Sequence, residues 1–172
     1  MVPMENKKGK TMLELTQYIR CHIVKAAPMT RGDYNELRGR ETPANENPND
    51  DGYLVVYPDG YESWCPKAQF EAAGRPIDGM TFGQAIEAMK QGKKVARKGW
   101  NGKGMYIWVM PGSTIQNCPN ITDPHLKAIS DANGGTVIFT GSIRMKTATG
   151  EVLTGWLASQ TDMLCEDWEI VE

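Results

Sequence analysis

The chain has 172 residues, 40% hydrophobic and 23% charged, with a formal net charge of −2. That length suits one medium domain or two small ones, and the near-neutral balance excludes broad electrostatic attraction to nucleic acid or an anionic membrane, so any anion site has to be local. Cys21, Cys65, Cys118 and Cys165 form no CxxC pair, which argues against a zinc knuckle; with no secretory signal or bilayer-length apolar run, the expectation is a cytosolic protein with reduced thiols.

Residues 1–17 read as a loosely ordered lead-in and Tyr18–Lys25 as a strand. Thr30 and Asp33 form a capping pair that predicts a short helix through Leu37, stopped at Gly39. Residues 41–52, ETPANENPNDDG, are polar and turn-rich and read as a loop. Tyr53–Tyr57 and Tyr61–Trp64 flank Pro58-Asp59-Gly60, a hairpin signal. Pro66 fits the first turn of a helix ending at Gly74, and Arg75–Gly79 reads as a linker.

The pattern changes sharply at Met80. Thr81 and Gln84 make a T-x-x-Q capping box, and Phe82, Ala85, Ile86 and Met89 give the helix that follows one apolar face. Gly92 ends it. Lys93–Arg97 reads as a short strand and Gly99-Trp100-Asn101-Gly102 as a bend. Met105, Ile107 and Val109 alternate with Tyr106, Trp108 and Met110, so the next strand has two non-polar faces: one for the helix, the other for a further surface such as a second subunit. Asp123-Pro124 starts a helix through Ala132, Thr136–Thr140 and Ile143–Thr147 read as strands, and Ala148-Thr149-Gly150 as a turn. The tail gives a turn, a short helical stretch and a last strand at Trp168–Val171. The expectation is an α+β fold of small antiparallel sheets packed with short helices, in two modules: a small α+β accessory module at 1–76 and a binding domain at 80–172.

The blocks MTFGQAIEAMKQGKKVARKGWNGKGMYIWVMPGS and MKTATGEVLTGWLASQTDMLCEDWEIVE, in that order, resemble the second Thoeris anti-defence family of phages and prophages. The likeness covers about the last ninety residues, one normal small domain. Residues 1–76 look like an extra module found upstream of this domain in some phage proteins. The resemblance implies a sponge acting in the host cytoplasm. Such proteins bind a glycocyclic ADP-ribose signal made by a Thoeris TIR protein and hold it uncut, so that the effector stays inactive. It further implies a homotetramer with pockets between subunits and, in some members, separate sites for cyclic dinucleotides. It implies no cofactor, no metal, and no nucleic-acid or membrane partner.

A cyclic ADP-ribose-type ligand has a purine, two riboses and a pyrophosphate, and the residues offer partners for each. Trp100, in its glycine-flanked bend, and Trp156, after Gly155, offer stacking faces, and the family pattern places both at the pocket; packing at a core edge is the plainer role for a tryptophan. Arg97 and Lys103 offer cations to phosphate, with glycines that let backbone approach closely, although such a run is commonly a solvated basic turn. Asn101, Ser159, Gln160 and Asp162 offer acceptors to ribose hydroxyls, while ASQTD is also helix-cap chemistry, the safer role for Asp162. Met105 offers a soft apolar wall, and Trp108 and Trp168 read as core or subunit interface. Two other functions are consistent with the residues. A hydrolase of the same signal needs a base or metal, and His22 and His125, the two histidines, fall in no recognised catalytic pattern. A phage protein-interaction module would use Trp100 and Tyr106 as anchors, with the Tyr53, Tyr57, Tyr61 and Trp64 hairpin in support.

Overall fold

The computed structural model describes residues 16–17, 21–117 and 120–172. Most of the expected lead-in and residues 18–20 of the first expected strand lie outside them. Of the remainder of that strand, only Lys25 is extended and paired, in β1 (Lys25–Pro28).

β1, β2 (Gly52–Val56) and β3 (Glu62–Pro66) form an antiparallel sheet in chain order, with the hairpin strands one or two residues from their expected limits. Gly60, at φ 84°, closes the turn, and Tyr57 N–H donates to Tyr61 O at 2.8 Å. α1 (Arg31–Leu37) begins at the expected Thr30, whose hydroxyl accepts from Asp33 N–H, and α2 (Lys67–Ala73) packs on β2 and β3 with Pro66 just before its first turn. The polar 41–51 loop is pinned to this layer. The Arg31 guanidinium bonds the Glu46 carboxylate and lies 5.0 Å from the Trp64 ring centroid, and the Trp64 indole N–H donates to Met29 O. Gly52 is required here, because a Cβ would run into the Trp64 ring. Among the hairpin aromatics, Tyr53 stacks on Phe70 at 4.3 Å, and Tyr57 lies against Tyr61, which is itself exposed.

The second sheet is antiparallel and five-stranded, in the order β10-β4-β5-β8-β9: Trp168–Val171, Lys94–Arg97, Tyr106–Met110, Ser142–Lys146 and Val152–Thr154. Registers align Ile170, Val95, Ile107, Met145 and Leu153 in one row across it. α3 (Phe82–Lys90), with the predicted Thr81/Gln84 capping box formed, lays Ala85, Ala88 and Met89 on that row. Val95, Ile107 and Trp168 are fully buried in the resulting core. The other face of β5 carries Tyr106, with the Lys94 and Lys146 ammonium groups 5.2 and 5.8 Å from its ring, beside half-buried Trp108. The α+β expectation therefore holds.

Three departures are informative. The chain between β5 and β8 contains a second hairpin, β6 (Ser113–Gln116) paired with β7 (Thr136–Phe139), with α4 (Pro124–Ala132) between its strands. Its strands are short and largely exposed, and β6 carries one apolar residue, Ile115, too weak a pattern to read. β9 is a three-residue edge strand, equally short of periodicity. The Arg75–Gly79 linker is tethered along β10: Ile170 N–H donates to Ile77 O at 3.0 Å, Met80 bridges Trp168, and the Arg75 guanidinium makes two bonds to Glu166.

Candidate functional site

The bend after β4 and the short helix α5 (Gln160–Leu164) meet over one end of the five-stranded sheet, because antiparallel pairing sets Trp168 opposite Arg97. An aromatic cluster lies beneath. Trp168 is the floor; Trp100 and Trp156 stand edge-to-face on it with centroids at 5.4 and 6.3 Å, 6.0 Å from each other, and Phe82 closes the group. Edge-to-face pairs place a ring's positive rim on its neighbour's negative face. Trp100 and Trp156 are half-buried and keep part of their surface open, whereas Trp168 has no exposed surface.

Asp162 ties these pieces together. Its Oδ1 accepts from Arg97 Nη1 at 2.9 Å and from the Trp100 indole N–H at 3.2 Å; its Oδ2 accepts from the Ser159 N–H and hydroxyl at 3.0 and 2.7 Å. Its backbone carbonyl accepts from the Trp168 indole N–H at 2.9 Å. Ser159 is the N-cap of α5 and Asp162 the reciprocal residue three positions on, so the capping reading of ASQTD applies with Ser159 at its head. Arg97 is equally engaged. Its Nε donates to Asp167 Oδ1 at 2.9 Å, and Asp167 Oδ2 also accepts the Gly99 backbone N–H at 2.9 Å. A Cβ on Gly99 would lie 2.8 Å from that oxygen, so the bend needs glycine there.

The electrostatics follow from these bonds. Burial opposes ionisation of Asp162, yet the bonds from Ser159, Arg97 and Trp100 outweigh it and lower its pKa to about 2. Asp167 is brought to about 2 chiefly by Arg97. Arg97 is raised in turn by Asp167 and Asp162, and burial raises the Cys165 thiol. Both carboxyl groups are depressed from an ordinary 3.8, so their stabilisation is whole above that value and is lost as pH falls through about 2. A shift of this size corresponds to about 2 kcal/mol, and the two do not add, because both rest on one guanidinium. Urea midpoints are therefore expected to drop between pH 4 and pH 2, and less steeply in Asp167→Asn; equal slopes in the two proteins would refute the assignment.

The structure gathers Arg97, Trp100, Trp156, Ser159 and Asp162 into one network. Asn101, Lys103 and Gln160 are exposed around it. Met105 is half-buried, and its Sδ occupies the place a Gly102 Cβ would take, so it packs against the bend as well as the core. Asp167 escaped the sequence reading: it is seventy residues from Arg97, and no local spacing announces the pairing. Leu157 and Leu164 border the network at 87% and 81% exposed, with Val152, Leu153 and Met163 nearby in sequence also exposed.

The family model for the Thoeris anti-defense 2-like domain (Tad2-like) matches residues 80–171. Thoeris anti-defense 2 of Bacillus phage SP01 is 37% identical over 92 residues, which cover 54% of this chain and 94% of that protein.

Proposed function

Since this chain belongs to the Thoeris anti-defense 2-like family, we propose that it is a phage anti-defence sponge that holds a cyclic ADP-ribose-type signal, glycocyclic ADP-ribose, without cutting it. Residues 80–172 form the binding domain of this proposal and residues 1–76 its accessory module. The observation that carries it is the half-buried Trp100 ring, fixed at a glycine bend by its N–H bond to Asp162, with exposed Asn101 and Lys103 on the same bend and exposed Gln160 at the head of α5. A fixed ring is a ready stacking partner for a purine, and one that is already ordered adds little entropic cost on binding.

Retention without turnover agrees with the carboxylates. A general acid or base works best with a pKa near the operating pH; Asp162 and Asp167, at about 2, are held as anions on Arg97. His22 and His125 are both exposed, and His125 lies in the first turn of α4. The test is direct: incubate the protein with glycocyclic ADP-ribose, remove free ligand, denature, and identify what is released. Intact ligand is expected. Linear product would make the protein a hydrolase, and an empty protein would move the function to protein–protein interaction.

Assembly into a homotetramer with the site at a subunit seam belongs to the same proposal. A nanomolar complex requires about −12 kcal/mol, which a shallow face rarely supplies to a polar ligand whose phosphates are costly to desolvate. The exposed Leu157 and Leu164 beside the network supply apolar surface for such a seam. Leu164→Glu is expected to reduce the assembly to smaller species in mass photometry while circular dichroism is unchanged; an unaltered mass distribution would place the seam elsewhere.

A further inference from the structure

We infer that Arg97 and Asp167 are positioning residues, which hold the bend that presents Trp100, and that Arg97 is not a phosphate ligand. The inference rests on the proposed reading of Trp100 as the stacking wall and gives the roles of the charged groups behind it.

A phosphate-binding arginine presents free N–H groups along the open edge of its fork. Here three of the five guanidinium N–H groups, one on each nitrogen, are donated to carboxylate oxygens, from Nε and Nη2 to Asp167 at 2.9 and 3.4 Å and from Nη1 to Asp162 at 2.9 Å, so the fork is aimed at carboxylates rather than at solvent. The Arg97 side chain is only 12% exposed. One cation between two anions leaves the cluster net negative, so it repels a pyrophosphate. Lys98 faces Asp78 at 3.6 Å and Lys146 donates to Gly104 O at 3.0 Å, and the exposed Lys103 is the cation on the bend taken here as the phosphate partner.

The bend, by contrast, is tied to this cluster at every step. Asp167 Oδ2 takes the Gly99 N–H, Asp167 O takes the Lys98 N–H at 3.1 Å, Arg97 O takes the Trp100 N–H at 3.3 Å, and Asp162 takes the indole N–H. Asp167 therefore acts on the ring twice: directly through the backbone, and through Arg97, which fixes the Asp162 oxygen that the indole uses. Removing the Asp167 charge loosens both ties at once and frees one edge of the guanidinium.

Two readouts test this. In ¹⁵N spectra, with the Trp100 indole signal assigned by its loss in Trp100→Phe, Asp167→Asn is expected to speed solvent exchange of that N–H about tenfold and to leave the Trp108 indole unchanged. In calorimetry with glycocyclic ADP-ribose between about 0.05 and 0.5 M NaCl, Asp167→Asn is expected to bind about tenfold more weakly at every salt concentration, whereas Lys103→Ala flattens the salt dependence. Unchanged indole exchange, or tighter binding by Asp167→Asn through a freed guanidinium, would overturn the assignment. If Asp167→Asn does not fold, Arg97→Lys, which keeps the charge but loses the fork, is expected to give the same faster exchange. Absence of binding by the unsubstituted protein would refute the proposed function, and indole exchange would still decide the positioning role.

Discussion

Trp168→Ala is expected to lower the unfolding free energy by about 3–5 kcal/mol, the usual cost of removing a large aromatic from a core. Three separate losses combine in this one change. The ring is fully buried and is contacted by Phe82, Trp100 and Trp156, so its removal opens a void under all three. Its N–H is the donor to the Asp162 carbonyl, which secures α5 to the sheet. Its backbone pairs with both Met80 and Arg97, so a shift here moves the entrance of α3 and the end of β4 together. Total stabilities of small domains are about 5–15 kcal/mol. The variant is therefore expected to be partly unfolded at 37 °C, with a much reduced midpoint in urea. Trp168→Phe keeps an aromatic ring but loses the donor and part of the volume, and is expected to fall between. A loss below about 1 kcal/mol in Trp168→Ala would mean that α3 closes onto the sheet without it, and that the tryptophan cluster is not the keystone of this half.

What the sequence disclosed, and what it hid, divides by range. Elements announced by local chemistry are in place: the Thr81/Gln84 box and apolar face of α3, Asp123 at the head of α4, Thr30 at the head of α1, and the last strand at Trp168. β6 and β9 leave no mark in the sequence because every residue of both is exposed, so neither carries the apolar alternation of a strand with a buried face. The tether of residues 75–80 along β10 was equally invisible, since it exists only once β10 is paired. The site shows the same division. Trp100 stands out in the sequence because glycines flank it, and Ser159 and Asp162 because their spacing is that of a cap. That Arg97 spends its charge on Asp162 and Asp167 is a product of the fold: the pairs span 65 and 70 residues and form only when β4 meets β10.

Trp100→Ala is expected to abolish measurable retention of glycocyclic ADP-ribose, with affinity down by about a hundredfold. Stacking a base on an aromatic side chain is worth about 1–3 kcal/mol, or about five- to 150-fold in affinity. The alanine variant also loses the indole that completes the Asp162 network, which places the effect toward the upper end of that range. Its stability is expected to suffer less than that of Trp168→Ala, because Trp100 is only partly buried, whereas Trp168 has no exposed surface. A loss of about 2 kcal/mol still leaves a folded protein, and circular dichroism with mass photometry checks that fold and assembly persist. Trp100→Phe separates two contributions: it keeps a stacking face and removes the N–H donor to Asp162. Retention in Trp100→Phe but not in Trp100→Ala would identify the ring face as the source of affinity. Loss in both, with fold and assembly intact, would mean that the orientation set by Asp162 matters as much as the face. Full retention in Trp100→Ala would make this ring a packing group and move the stacking role to Trp156, which stands beside it at 6.0 Å and is likewise only partly buried.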